Sequence, residues 1–573
     1  MTNDYGPKTE NAKWIHAWKY RAPYESFGEY ATRVANALKD GALHFHELRD
    51  LLREQKFLPG GRIQAAMGSA KQVTPYNCFV SGTLEDASES IFKEVTDAFM
   101  TMRVGGGIGY DFSPLRPYGD VIKSLGSVSS GPVSFMGIFD ATCATVSSAG
   151  HRRGAQMGVL RVDHPDIERF LRAKQNSTNL TAFNVSIAVT DEFMEAVETD
   201  GMFTLRFDGE ERGQVHARTL WESIMRSTWE WAEPGILFID RINETNNLRD
   251  IENIVATNPC GEQPLPPHGA CLLGSFNLTK YINSTYRRNE REALHGFDYE
   301  AFAEDIPIIV RAMDNVVDRA GTFPLPVQKV EALSKRRMGI GVTGLANAGE
   351  ALGYAYGSHD FLNFTEMVLT VLRDGVYMAS IDLAREKGSF PLFDAEQFLG
   401  EGTFASTLPS HIQDRIREHG IRNSHLLSIA PTGTISLSAD NVSSGIEPTF
   451  STGGRRTVQT ESGPKEVDVL DYGFATWNTA PKVAAQCSAD DHLGVLLMAQ
   501  RFMDSACSKT CNVSPDMSWD EFKNIYMRAW KGGAKGCTTF NPGGKRFGMM
   551  EAAPAEEVLA CYIDPVSGDR TCD

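Results

Sequence analysis

The sequence lacks the features of membrane proteins, of secreted proteins and of proteins with a broad basic surface for nucleic acid. No apolar run reaches the length of a membrane span, and residues 1–13 contain no apolar core of the kind that marks a signal peptide. The formal net charge of −17 argues against a surface of basic patches for nucleic acid, although it leaves room for a local nucleotide pocket. The 573 residues are 42% hydrophobic and 23% charged, which is typical of one large α/β enzyme or several domains.

The spacings that hold metal ions are also missing. The ten cysteines are dispersed, no pair of Cys-x-x-Cys knuckles occurs, and the 13 histidines show no His-Glu-x-x-His pattern. We therefore expect no protein-bound metal and a reducing, cytoplasmic setting. Cys507 and Cys511 form a Cys-x-x-x-Cys pattern, which we interpret as packing residues on a helix.

No fixed-period repeat, coiled coil or low-complexity tract is visible. Residues 1–55 have a helical, charged pattern, and the periodicity fades after residue 545, which predicts a mobile tail. Between them, helical stretches such as 221–232 and 361–387 alternate with short apolar segments. This alternation predicts an α/β architecture with a largely parallel sheet or barrel. The apolar segments are 158–162, 184–189, 203–207, 236–240 and 426–430. Ser518 to Glu521 forms a capping box that predicts a helix start.

Three loops have the composition of anion-binding sites, and each has a plainer alternative. The glycine run 105–109 lacks P-loop and Rossmann spacing, so a helix stop with close packing is favoured over a phosphate cradle. The loop after the apolar segment 426–429 can hold phosphate oxygens through backbone N–H groups and hydroxyls, or be an ordinary capped turn. Its residues are Thr432, Gly433, Thr434, Ile435 and Ser436. The basic loop 151–156 can contact a phosphate and a base edge, or be a solvated turn.

The pentapeptide Asn258-Pro-Cys-Gly-Glu262 carries the strongest chemical signal. In an extended segment alternate residues share a face, which predicts that Asn258, Cys260 and Glu262 point together at one substrate. A thiol, a carboxylate and an amide on one face suit radical or acid–base chemistry on a hydroxylated substrate. The alternative is a buried thiol beside a solvated glutamate.

Landmarks from about residue 55 to the C-terminus together resemble the ribonucleotide reductase family, in family order. They are Phe57-Leu-Pro-Gly-Gly-Arg62, Cys78, Leu84-Glu-Asp86, the run from Gly105, the Arg152–Arg153 loop, Asn258-Pro-Cys-Gly-Glu262, Cys271-Leu-Leu-Gly-Ser-Phe-Asn-Leu278, Ala430–Ser436 and Gly445-Ile-Glu-Pro448. The resemblance implies a ten-stranded α/β barrel over residues 56–545, with Cys260 on a finger loop threaded into it. A helical segment, 1–55, would precede the barrel, and a redox-active tail, 546–573, would follow it.

The subclass follows from a further comparison with family patterns. Members that need a separate radical-generating subunit carry two adjacent tyrosines, whereas this chain has no Tyr-Tyr pair and reads Gly536-Cys-Thr-Thr-Phe540 at the corresponding place. The run from residue 491 to residue 530 looks like the adenosylcobalamin-dependent subclass, and no glycyl-radical motif is found. The alternatives are the catalytic chain of a two-subunit enzyme and a non-catalytic nucleotide-binding protein.

The resemblance also implies roles for the cysteines and their neighbours. A radical generated from adenosylcobalamin would make Cys260 a thiyl, which abstracts the 3′ hydrogen of a ribonucleotide. Glu262 would act as base on the 3′ hydroxyl, and Asn258 would bind the sugar. Cys78 and Cys271 would supply the reducing equivalents and become a disulfide.

Further implied sites lie in the tail and outside the reaction centre. Cys561 and Cys572 would reduce the active-site disulfide by thiol exchange, and a thioredoxin- or glutaredoxin-like protein would reduce them in turn. The alternative is that they are two exposed thiols without a role. The loop 432–436 would bind substrate phosphates.

The family's effector site, usually at a homodimer interface, would bind a deoxynucleotide or ATP. Asp86 would bind its ribose and Lys123 a phosphate, while Arg152, Arg153 and Gln156 would link effector to substrate. The ATP-binding cone of many members is not evident before residue 57, so we expect no dATP shut-off through that domain. No cobalamin contact can be assigned, because residues 490–494 do not match Asp-x-His-x-x-Gly.

Overall fold

The computed structural model describes residues 5–148, 152–153, 155–175, 179–283, 296–460, 463–514, 516–545, 562–563 and 570–571. Its contacts divide the chain into two compact units. The first unit comprises Met1–Asn77, Thr245–Ile251 and Ala270–Lys509. The second comprises Cys78–Glu244, Glu252–Gly269 and Thr510–Asp573. Each unit contains both strands and helices.

The α-helices of the described residues are numbered in chain order. They are α1 Glu10–Tyr20, α2 Phe27–Leu38, α3 Gly41–Arg53, α4 Gly61–Ala66, α5 Ser88–Arg103, α6 Pro132–Thr145, α7 Ile167–Arg172, α8 Asp191–Glu198, α9 Ala217–Trp231, α10 Ile239–Glu244, α11 Tyr299–Arg319, α12 Pro326–Lys335, α13 Leu345–Ala351, α14 His359–Lys387, α15 Ala395–Phe398, α16 Ser410–His419, α17 Gly433–Leu437, α18 Tyr472–Trp477, α19 Ala489–Gln500 and α20 Trp519–Lys531. None of these helices is both long enough and apolar enough to cross a membrane.

The strands are numbered in the same way. They are β1 Phe57–Pro59, β2 Cys78–Val80, β3 Gly107–Asp111, β4 Val121–Ile122, β5 Ser127–Val128, β6 Ser147–Ser148, β7 Arg152–Arg153, β8 Gln156–Arg161, β9 Phe183–Val189, β10 Met202–Phe207, β11 Glu210–His216, β12 Gly235–Phe238, β13 Ala256–Thr257, β14 Pro264–Leu265, β15 Ala270–Asn277, β16 Met338–Thr343, β17 Gly453–Thr460, β18 Gly463–Leu470, β19 Thr510–Asn512, β20 Gly536–Phe540, β21 Tyr562–Ile563 and β22 Arg570–Thr571.

The sheet of the first unit is centred on β15. This strand runs antiparallel to β1 and parallel to β16, with Leu272 opposite Met338. Single bridges from Ile340 to Leu427 and from Ile429 to Cys507 continue the parallel arrangement. All eight residues of β15 are buried, as expected for a strand covered on both faces. The long helices α11 and α14 pack against each other beside this sheet.

Seven strands of the second unit are neighbours in a mixed sheet, in the order β2-β3-β8-β9-β12-β20-β19. Neighbours are parallel except β12 and β20, which are antiparallel. Strands β8 and β9 are buried almost throughout, so they appear in the sequence as nearly continuous apolar runs. The predicted α/β architecture is therefore confirmed.

The glycine run after α5 serves packing. The helix ends at Arg103, and Gly105 adopts a φ of +99°. Strand β3 then begins at Gly107, within the glycine run. A Cβ on Gly109 would lie 1.8 Å from the carbonyl oxygen of Thr257, so only glycine permits this approach. The interpretation as a helix stop with close packing is confirmed.

Other local expectations have mixed outcomes. Helix α20 begins with the predicted capping box, in which Ser518 and Glu521 exchange hydrogen bonds. The helix expected at residues 507–511 is wrong, because Cys511 lies in β19 and Cys507 bridges Ile429. Strand pairing outweighs the helical spacing of the two cysteines there.

Candidate active site around Cys260

Cys260 lies at the tip of a tight hairpin. Strands β13 and β14 pair with Thr257 opposite Pro264, and the Asn258 N–H continues the ladder by donating to the Gln263 carbonyl at 3.1 Å. Gly261 closes the turn with a φ of +83° and donates its N–H to the Asn258 carbonyl at 3.1 Å. The expectation of an extended segment is wrong, because this left-handed glycine reverses the chain.

Two polar side chains of this hairpin converge on the thiol of Cys78. The Asn258 Nδ2 donates to the Cys78 Sγ at 3.2 Å, and the Cys78 thiol donates to the Glu262 Oε1 at 3.8 Å. All three residues are buried. The structure therefore brings Cys78 to Asn258 and Glu262, which lie 180 and 184 positions further along the sequence.

The hairpin is held in place by its own unit. The Asn258 Oδ1 accepts hydrogen bonds from the Gln263 N–H at 3.0 Å and from the Thr257 hydroxyl at 3.2 Å, which fixes the orientation of the amide. Asn184, on β9, donates from Nδ2 to the Pro259 carbonyl at 2.9 Å. These bonds pre-organise the side chains beside Cys78.

The tip of the hairpin is its accessible part. Cys260 is partly exposed, whereas Cys78, Asn258 and Glu262 are buried. A Cβ added to Gly261 would meet no atom within 4 Å. The hairpin and its contact therefore combine one approachable thiol with a buried amide, a buried carboxylate and a buried second thiol. A carboxylate in such a place can accept a proton from a hydroxyl that is positioned beside it.

Cys271 lies on β15 in the first unit. Its side chain is completely buried, and its thiol donates to the Leu272 carbonyl at 3.3 Å. Burial, followed by the neighbouring Cys271 thiol, raises the pKa of Tyr76 in the same unit. Cys78, Cys260 and Cys271 are all present as thiols.

The predicted phosphate loop opens the short helix α17. Thr432 has a φ of +54°, and its hydroxyl oxygen lies 2.9 Å from the Thr343 hydroxyl and 3.0 Å from the Ser436 hydroxyl. It also accepts the Gly445 N–H at 2.7 Å. The hydroxyls of Thr432 and Ser436 therefore hold the loop itself. Gly433 and Thr434 follow at the start of α17, where Thr434 is buried.

The predicted effector residues are only partly brought together. Asp86 pairs with Arg116, whose Nε donates at 2.5 Å and whose backbone N–H donates at 3.2 Å. Arg116 also donates from Nη1 to the Val121 carbonyl at 3.3 Å, at the base of the β4–β5 hairpin that exposes Lys123. Arg116 thus joins Asp86 to that hairpin. It was not expected from the sequence, because no local pattern marks a lone arginine 30 positions downstream.

The other effector residues differ from this arrangement. The side chain of Gln156 is completely buried in β8, where Oε1 accepts from the Tyr110 hydroxyl at 2.8 Å and Nε2 donates to the Phe139 carbonyl at 3.2 Å. Arg152 and Arg153 form β7, opposite β6, and their side chains are outside the described part of the structure. Cys561 and Cys572 also lie outside the described residues. In the sequence they flank β21 and β22. These two strands pair with each other, and Tyr562 lies opposite Thr571.

Metal-ligand geometry is absent from the described ranges, in which no group of three His, Cys, Asp or Glu side chains can hold an ion. His492 lies inside α19, completely buried, and its Nδ1 is 2.9 Å from the Lys509 ammonium. Burial, with the charge of Lys509 second, holds its pKa well below the usual value. It is therefore a neutral interior group.

Comparisons with known proteins agree with this geometry. A family profile described as the ribonucleotide reductase barrel domain matches residues 76–472 and 476–540. A vitamin B12-dependent ribonucleoside-diphosphate reductase of Mycobacterium tuberculosis is 33% identical over 96% of this chain and 81% of its own length. A protein of the same name from Thermoplasma acidophilum is 33% identical over 84% of this chain and 63% of its own.

A vitamin B12-dependent ribonucleotide reductase of Streptomyces clavuligerus is 27% identical over 90% of this chain and 61% of its own length. The chain thus spans about three fifths of the last two relatives and four fifths of the first. The profile covers most of the chain, including the Cys260 hairpin and its partner Cys78. The chain belongs to the ribonucleotide reductase family.

Proposed function

We propose that this chain reduces ribonucleoside diphosphates to 2′-deoxyribonucleoside diphosphates for DNA synthesis, with adenosylcobalamin as cofactor. The observation that carries the proposal is the convergence of Asn258 and Glu262 on the Cys78 thiol, from the hairpin whose tip carries the accessible Cys260. The choice of diphosphates and of cobalamin rests on the names of the Mycobacterium and Thermoplasma relatives.

The hairpin tip is open to a cofactor. Cys260 is partly exposed, and no atom outside residues 260–262 lies within 4 Å of a Cβ added to Gly261. His492 would not be a cobalt ligand, because it is buried against Lys509. Adenosylcobalamin, when bound, would supply the radical equivalent that removes the hydrogen atom from the Cys260 thiol.

The protein's residues would then divide the work on the ribose. Cys260, as a thiyl radical, would take the hydrogen atom from C3′ and return it at the end of the cycle. Glu262 would accept the proton of the 3′ hydroxyl, a role that suits a buried carboxylate next to the hairpin tip. Asn258, whose amide is fixed by Gln263 and Thr257, would orient the sugar.

The electrons would come from two further thiols. The 2′ hydroxyl would leave as water, and Cys78 and Cys271 would give up two electrons and two protons as their sulfur atoms join in a disulfide. Cys561 and Cys572 would reduce that disulfide by thiol exchange, and a thioredoxin- or glutaredoxin-like dithiol would restore them. The backbone N–H groups at Gly433 and Thr434 would hold the substrate phosphates.

The effector site would form on a homodimer. Helices α5 and α6 pack against each other in the second unit, and both present unusual outward faces. Phe92, Thr96 and Met100 form an exposed stripe on α5, since they are four residues apart. The outward residues of α6 are small, among them Gly137 and Ala141. A second copy can approach such a surface closely, and Asp86 and Lys123 would then bind a deoxynucleotide or ATP.

An activity assay tests the proposal. The purified chain is incubated with adenosylcobalamin, a ribonucleoside diphosphate and dithiothreitol, and deoxynucleotide formation is measured. We expect deoxynucleotide formation without any second subunit, and none with Cys260→Ser, although that variant should bind nucleotide as the wild type does. Formation only after a metal-containing subunit is added would favour the two-subunit class. Nucleotide binding without turnover under both conditions would favour a non-catalytic nucleotide-binding protein.

A further inference from the structure

The side chain of Gln263 stands out among the buried polar groups of the Cys260 hairpin. It is 1% exposed, and neither its Nε2 nor its Oε1 has a hydrogen-bond partner among the residues that the structure describes. A buried amide without partners destabilises the folded state, because its lost hydrogen bonds to water are not replaced. Buried side-chain amides in folded proteins are rarely left in this condition unless a ligand or ordered water completes them.

The backbone determines which way this side chain faces. Asn258 and Gln263 are the next opposed pair beyond Thr257 and Pro264 in the β13–β14 ladder, because the Asn258 N–H donates to the Gln263 carbonyl. Opposed residues of an antiparallel pair project from the same face. Gln263 therefore shares the face from which Asn258 reaches the Cys78 thiol at 3.2 Å.

We propose that Gln263 is a substrate-contacting residue whose amide binds a ribose hydroxyl, an inference that rests on the proposed function. A hydroxyl both donates and accepts, so it can satisfy Nε2 and Oε1 together. A phosphate oxygen would satisfy only the donor, and an ammonium group only the acceptor. A nucleobase edge has the same dual chemistry as a hydroxyl, and the test separates the two.

The first measurement compares Gln263→Met with the wild type in the absence of cobalamin, so that nucleotide binds without turnover. Methionine has nearly the same length and no unsatisfied amide. We expect the melting temperature of the ligand-free protein to rise and the Kd for ribonucleoside diphosphate to increase about tenfold. A residue with a purely structural role would show a lower melting temperature and an unchanged Kd, and that pair of results would overturn the inference.

Gln64 provides a matched control. It is also buried, but its Oε1 accepts from the Tyr30 hydroxyl at 2.9 Å and its Nε2 donates to the Pro59 carbonyl at 2.7 Å. Gln64→Met should lower the melting temperature, because it leaves both partners unpaired, and should leave the Kd unchanged. The opposite signs of the two shifts separate a ligand-binding amide from a structural one.

A second set of ligands identifies the group that Gln263 contacts. The penalty of Gln263→Met should disappear with the 2′-deoxy or the 3′-deoxy analogue and should be the same for all four bases. A penalty that persists with both analogues, or that varies with the base, would overturn the ribose assignment. If the wild-type chain binds no ribonucleotide at all, the proposed function itself fails. If the wild type binds and Gln263→Met binds equally well, only the inference about Gln263 fails.

Discussion

At the residue scale, neighbouring side chains of the hairpin differ in burial and in their contacts. Glu262 is buried within hydrogen-bond reach of the Cys78 thiol, whereas Cys260 at the tip is approachable. The motif around Cys260 was enough to predict these residues together with Asn258. Gln263 and Arg116 were not predictable, because an unsatisfied amide and a long-range ion pair exist only in the folded chain.

Glu262→Gln removes the proposed general base and keeps the shape of the side chain. We expect the rate of deoxynucleotide formation to fall about 10²- to 10⁴-fold, the usual contribution of a positioned base, while the Kd for nucleotide changes little. Single-turnover kinetics and equilibrium binding measure the two effects.

The control for that variant is Glu168→Gln, also in the second unit. Glu168 is exposed, and its pair with Arg172 on α7 contributes little to stability. Unchanged turnover in Glu168→Gln and full turnover in Glu262→Gln would together contradict the role of Glu262.

A buried carboxyl in the first unit predicts a pH dependence of stability. Burial, and then the neighbouring Asp471, raise the pKa of Glu350 to about 8. In the unfolded chain the group ionises near its ordinary value of 4.5, so the folded state holds an extra proton between the two values. The group's contribution to stability is therefore present below pH 4.5 and is lost as the pH rises to about 8.

Glu350→Gln should flatten that dependence. Thermal unfolding between pH 5 and pH 9 should show a smaller loss of melting temperature in the variant than in the wild type, since the neutral amide carries no charge at any pH. Parallel curves for the two proteins would show that the carboxyl does not ionise as described.

At the element scale, the N-terminal segment supports the phosphate loop. The Asp440 carboxylate accepts the backbone N–H groups of Lys8 and Thr9 at 2.8–2.9 Å and the Thr9 hydroxyl at 3.0 Å, just before α1. Tyr20 and Ile435 belong to one buried apolar cluster, which places α1 against α17. The position of residues 432–436 therefore depends on α1.

Asp440→Gly tests that support. Glycine accepts the φ of +61° found at this position, so the substitution removes the hydrogen bonds from all three donors without backbone strain. We expect the KM for nucleotide to rise severalfold with kcat nearly unchanged, and the protein to lose about 1 kcal/mol of stability, as for a lost helix cap. Steady-state kinetics and denaturant unfolding measure the two quantities.

Asn441→Gly is the matched control for Asp440→Gly. Asn441 also has a positive φ, +58°, but its side chain makes one exposed bond to the Leu470 carbonyl. Equal changes of KM in the two variants would mean that the Asp440 contacts do not position the loop.

Periodicity predicted the regular elements well and the irregular ones poorly. Strands β8, β9 and β12 and helices α9 and α14 appear as continuous apolar or amphipathic patterns, because burial dictates their composition. The turn at Gly261 and the pairing of β19 with β20 escaped prediction. The first depends on one left-handed residue, and the second on a partner about 28 positions away.

At the scale of the whole molecule, the outward faces of α5 and α6 predict a homodimer. Phe92→Asp places a charge in the exposed apolar stripe and should shift the protein to monomer in sedimentation velocity. The response to added deoxynucleotide effector should be lost with it. Met202→Asp is the control, because Met202 is as exposed as Phe92, 56% in each case, but lies on the β10–β11 hairpin. A dimeric Phe92→Asp protein would contradict this interface.

In the proposed reaction, Cys260 oxidises the substrate while Cys78 and Cys271 reduce it. A single turnover of pre-reduced chain with adenosylcobalamin and a ribonucleoside diphosphate, without external dithiol, tests it most directly, with peptide mapping of the quenched protein. We predict deoxynucleotide together with a Cys78–Cys271 disulfide in the wild type, and neither in Cys260→Ser. Deoxynucleotide from Cys260→Ser, or wild-type product with Cys78 and Cys271 still reduced and a disulfide elsewhere, would contradict the account.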